Sequence, residues 1–82
     1  MNTKDLESKE KIEVDIKKLE RNLGQVESIK FTDKQLDVYN RAVDYMNDSK
    51  YYLEKEDMRT AFGCIEYSHG LLDALRMIHG LI

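Results

Sequence analysis

Proline is absent from all 82 residues, and nowhere do apolar and polar residues alternate with period two over a useful length. Strands announce themselves by that alternation, and proline is excluded from helix interiors by its missing N–H and its ring. Helix is the one regular structure this pattern supports, so the expected fold class is all-α. Three segments carry helical periodicity, predicting one domain over 1–82 with helices at about 5–28, 33–54 and 58–79.

In the first segment, Ile12, Ile16, Leu19, Leu23 and Val26 recur at spacings of four and three, a heptad seam in a narrow arc with Lys and Glu around it. Val14 falls outside that arc. The second segment opens on the clearest local signal in the chain. Thr32 and Gln35 stand at capping-box positions, where hydroxyl and amide satisfy orphan backbone N–H groups, and Phe31 and Leu36 stand at hydrophobic-staple positions. Its apolar residues form two adjacent seams, Leu36/Tyr39/Val43/Met46/Leu53 and Val38/Ala42/Tyr45/Ser49/Tyr52. Asp57 is placed to cap the third helix.

The third helix, closed by Gly80, also has two seams. One is Ala61, Ile65, Ser68, Leu72 and Leu75; the other is Cys64, Tyr67, Leu71, Ala74 and Ile78. Many of these residues are small, which lets a neighbouring backbone approach closely. Short connections make successive helices antiparallel, giving an up-down-up three-helix bundle. The second and third helices each show an apolar arc near 180°, wider than the ~100° stripe of an ordinary surface helix. The first helix is too narrow to cover both, so the hairpin is expected either to pack on another copy or to leave apolar surface open.

Composition excludes several classes. Lys plus Arg number 13 against 16 Asp plus Glu, and no third of the chain is net positive: residues 1–30 balance seven against seven, 31–56 four against six, 57–82 two against three. Nucleic-acid binding needs a basic stripe, so no nucleic-acid partner is expected. No apolar run approaches the ~20 residues of a membrane span, and the first eleven residues are too polar for a signal peptide. The single cysteine, Cys64, allows no internal disulfide and fits a reducing interior. A cytoplasmic location without membrane attachment is the expectation.

Over residues 45–74 the chain resembles the archaeal family known as domain of unknown function 357. The matching elements are Asp48, the Tyr52-Leu53 pair, Asp57, Ala61, Ile65, Tyr67 and the run Gly70-Leu71-Leu72-Asp73-Ala74; His69 stands where a less polar residue is expected. The resemblance implies a three-helix bundle and an archaeal cytoplasmic protein, and it implies no activity.

No nucleophile–base pair, phosphate loop or thiol pair appears, so no catalytic, cofactor-binding or metal-binding residue is assigned. Glu66 and His69 have the Glu-x-x-His spacing of ferritin-like di-iron bundles, but no second pair exists and both are expected to face water. Arg76 and His79 are spaced more closely than the Arg…His pairs of small helical nucleases. Asp48 and Asp73 are polar positions of interest, expected about two turns apart; Asp48 is expected to form a salt bridge or a hydrogen bond to the Asp57 turn, and Asp73 either to pair with Arg76 or to face solvent. Tyr51 and Phe62 project from polar faces near the second turn, where exposed aromatics either bind partners or fold back over it. Leu71 and Ile78, on the outer seam, are the expected contacts of a homodimer. The expected role is a non-enzymatic interaction or self-association module, with a homodimer or an unidentified protein as partner. The alternative is an enzyme or metal-binding protein using the acidic, histidine-bearing face of the third helix.

Overall fold

A computed structural model of the chain describes the backbone of residues 3–82 and the side chains from residue 8 onward. It is a bundle of three helices: α1 (Thr3–Val26), α2 (Asp33–Glu54) and α3 (Met58–Ile78). The ends lie within two residues of those the sequence predicts. Among the described residues there is no strand.

The capping box forms as expected at the start of α2. Thr32 accepts from the Gln35 N–H at 3.2 Å, and Gln35 Oε1 accepts from the Thr32 N–H at 3.1 Å, completing the capping box. The staple differs. Leu36 stays exposed, while the Phe31 ring lies 5.6 Å from both Tyr39 and His79, so Phe31 bridges the start of α2 to the end of α3. Gln35 Oε1 also receives His79 Nε2 at 3.2 Å, tying one residue to both helix ends.

The α2–α3 turn is a Schellman motif. The N–H groups of Glu56 and Asp57 donate to the carbonyls of Leu53 and Tyr52, and Glu56 takes the left-handed conformation with φ 61°. Glycine usually fills that position because it has no Cβ to clash. The end of α3 repeats the motif with Gly80 at φ 73°. Asp57 then caps α3 by accepting from the Thr60 N–H at 3.2 Å.

The core follows the predicted seams closely. Ala61, Ile65, Ser68, Leu72 and Leu75 are all buried, as are Ile12, Ile16, Leu19 and Val26 of α1. On α2 the buried line is Ala42, Met46, Ser49 and Leu53, which runs between the two seams read from the sequence. Both buried polar side chains serve the hairpin. Ser49 Oγ donates to the Ala61 carbonyl and Ser68 Oγ to the Ala42 carbonyl. Each helix therefore carries Ala-x6-Ser, and each serine reaches the other helix's alanine. The small side chains let the backbones approach, and the hydroxyls find acceptors, so no buried polar side-chain atom among the described residues lacks a partner.

Helix α1 lies along the hairpin, closer to α3 than to α2. Two polar contacts set its roll. His69 Nε2 lies 2.9 Å from the Asp15 carbonyl, and Arg76 Nε donates to Gln25 Oε1 at 3.2 Å. His69 is thus half-buried against α1, which corrects the expectation that it faces water.

Candidate interaction face

The roll of α1 decides which part of the apolar excess remains open. On α2 the two flanking seams are largely covered: Tyr39, Val43, Val38, Tyr45 and Tyr52 are all half-buried, leaving Leu36 and Tyr51 as its exposed large hydrophobics. On α3 the outcome is different. One flank, bearing His69, Asp73 and Arg76, lies toward α1. The flank beyond α2 is uncovered.

Along that open flank Gly63, Tyr67, Gly70, Ala74 and Met77 recur at spacings of four, three, four and three, and all five are exposed. Tyr67 is 51% exposed, Met77 65% and the adjoining Ile78 64%. An added Cβ at Gly63 or Gly70 would meet nothing within 4 Å, so packing inside this chain does not require either glycine. Each nonetheless costs about 1 kcal/mol of helix stability relative to alanine. The Tyr67 ring packs on Tyr45 with centroids 4.6 Å apart, extending the surface onto α2.

Charge separates this face from the rest of the molecule. Of the exposed residues of α3, only Arg59 and Glu66 are charged, and both stand at its edge toward α1. The exposed residues of α2 are mostly charged. A solvent-facing heptad seam without charge is unusual on a helix that ends at water.

The predicted site residues distribute unevenly around this face. Ile78 lies on it and is exposed. Leu71 does not: it is half-buried and packs against the central cluster. The reason is its position one step nearer to α2 than Tyr67 and Ala74, so the hairpin itself covers it. Tyr51 and Phe62 are exposed but on different sides. Tyr51 stands edge-on to Tyr52 at 5.2 Å with the Lys55 amino group 5.6 Å from its ring, folded along the turn. Phe62 faces α1 and shares an open hollow with Val14 and Asp15.

The polar positions do not converge. Asp73 pairs with Arg76 at 2.9 Å, as expected. Asp48 is exposed and has no ion pair among the described residues. The register set by Ser49 and Ser68 puts Asp48 level with residue 62, roughly three turns from Asp73 rather than the two expected. Glu66 is exposed while its spacing partner His69 is occupied by the Asp15 carbonyl. No group of three or more His, Cys, Asp or Glu among the described residues is arranged to hold a metal ion. The remaining hollows are open surface grooves. One is floored by Ile16 and Leu53 and walled by Lys9, Glu13, Lys17 and Glu54. Cys64, beside the open face, is half-buried; burial pushes its thiol up, aided by the carboxylates of Asp48 and Asp57. No described helix is long and apolar enough to cross a membrane.

The missed feature is the charge-free run itself. Its sequence signal is the scarcity of Lys, Arg, Asp and Glu after residue 57, which net charge by segment does not reveal because it counts charges without placing them on a face. A family model described as "Protein of unknown function (DUF357)" matches residues 14–81. Among curated proteins the sequence finds no match.

Proposed function

The chain belongs to the DUF357 family, whose description carries no activity, and we propose that it is a non-enzymatic interaction module that binds a protein partner on the open face of α3. The observation that carries this reading is the exposed seam Gly63, Tyr67, Gly70, Ala74 and Met77, five residues without a charge. Burying such a seam against another apolar surface removes no charge from water, so the desolvation cost is small. Glycine and alanine allow a helix to approach closely, and Tyr67, held at one edge by Tyr45, supplies a large ring already restrained. The Ser49 and Ser68 contacts hold α2 and α3 in fixed register, so the face is largely preformed.

Ala74→Glu tests the reading, because Ala74 is exposed and its replacement leaves the core alone. The variant should melt like the wild type. It should lose association, whether with itself in sedimentation or with a partner captured from cell extract. A variant that associates as the wild type does places the binding surface elsewhere.

A further inference from the structure

We propose that the occupant of the open α3 face is a second copy of this chain, packed about a two-fold axis that runs parallel to α3. This rests on the reading of that face as an interaction surface and adds the partner and its orientation.

Charges of complementary sign run along the two edges of the face. The edge toward α1 carries Arg59, Glu66 and Asp73, seven residues apart. The edge on α2, beyond Tyr45, carries Asp48, Arg41 and Lys34, also seven apart. Seven residues is two helical turns, so each set stands in one line. The first line reads plus, minus, minus; the second reads minus, plus, plus.

The register of the hairpin aligns the two lines. Ser49 lies opposite Ala61 and Ala42 opposite Ser68. By the same count Asp48, Arg41 and Lys34 lie opposite positions 62, 69 and 76. Each is three residues, ~4.5 Å along the axis, from Arg59, Glu66 and Asp73 respectively. Within one chain the lines are on opposite sides of the α3 seam, and among the described residues Arg59, Glu66, Arg41, Asp48 and Lys34 form no ion pair.

A two-fold parallel to α3 places the α2 edge of one copy beside the α1-side edge of the other without axial shift. Asp48 then meets Arg59, Arg41 meets Glu66 and Lys34 meets Asp73, each rung occurring twice. An antiparallel two-fold centred on the seam near Gly70 instead sets the α1-side edge of each copy against its own equivalent, bringing Glu66 of one copy toward Asp73 of the other. The third rung is the weakest, since Asp73 already holds Arg76.

The size also fits. The 21 residues of α3 span ~31 Å, and two helices at ~10 Å spacing give a face on the order of 600 Å². A standard interface buries about 800 Å² per partner, so the hairpin face accounts for most of a modest dimer.

Sedimentation equilibrium with the charge-reversal variants Arg41→Glu and Glu66→Arg tests the arrangement. The wild type should dimerise at tens of micromolar. Each single reversal turns two attractive rungs repulsive and should weaken association by roughly tenfold, and the double variant should recover most of that loss. Reversals without effect, or a double variant weaker than both singles, overturn the parallel arrangement. A wild type that stays monomeric overturns the second copy as occupant. In that case, loss of a captured partner on Ala74→Glu still decides whether the face binds at all, so the two failures are separable.

Discussion

Ser49 Oγ donates to the carbonyl oxygen of Ala61 across the hairpin at 2.7 Å, with both residues fully buried. Seven residues away on each helix the arrangement is reversed, Ser68 donating to Ala42. A hydroxyl in a core is tolerated only with an acceptor, and here the acceptor is the backbone of the facing helix. The pair of contacts fixes the axial register of α2 against α3. A slip of one residue would strand both hydroxyls in an apolar interior.

Replacing Ser49 with alanine should therefore cost about 1 kcal/mol in urea denaturation, the net worth of one neutral hydrogen bond. Ser49→Leu should cost more, ~1–3 kcal/mol, because the backbones are already close and the added methylenes have no room. A leucine variant as stable as the wild type would show that the helices are not in close contact there.

Thr32→Ala removes the hydroxyl that accepts from the Gln35 N–H. The expected loss is about 1 kcal/mol in a thermal or chemical melt. An unchanged melt would mean that α2 does not depend on this cap.

Glu56 adopts a left-handed backbone where glycine is the usual residue. Glu56→Gly relieves the Cβ clash, worth ~1–2 kcal/mol, and costs some unfolded-state entropy in return. A net stabilisation of ~0.5–1 kcal/mol is expected. Destabilisation would indicate that the Glu56 side chain contributes more than its backbone conformation costs.

Asp57 titrates below its ordinary range because it accepts hydrogen bonds from Thr60, with Arg59 nearby. A folded-state value below the unfolded one adds stability that is present above the unfolded pKa, near 4, and is lost as pH falls through the folded value. The Asp57→Asn variant should lack this component of acid destabilisation, measured as a flatter dependence of the melting temperature on pH below about 4. An unaltered slope would remove Asp57 from the account of acid behaviour.

Much of the fold is legible in the sequence because its signals are local. The capping box needs only Thr32 and Gln35, three residues apart in one turn. The seam from Ala61 to Leu75 needs only helical period, and all five of its members are buried. What depends on distant partners was not legible. His69 looks solvent-facing on a helical wheel, yet the Asp15 carbonyl, 54 residues away, takes it. Leu71 sits on the outer seam by period, but it packs against the central cluster of the bundle. Leu71→Glu should thus unfold the chain or destabilise it severely, whereas Ile78→Glu should leave the melt near that of the wild type. The open face emerges once the roll of α1 shows which flank of α3 stays bare.

The most direct test of a second copy lying parallel along α3 is disulfide cross-linking at two positions on the seam. Gly63→Cys and Gly70→Cys, each in a Cys64→Ser background, place single thiols where an added Cβ meets nothing within the chain. A two-fold parallel to α3 sets residue 63 beside its own equivalent and residue 70 beside its own, so both variants should oxidise to covalent dimers. An antiparallel pair can match only one of the two positions. Cross-linking at one position alone, or at neither, would contradict the parallel dimer.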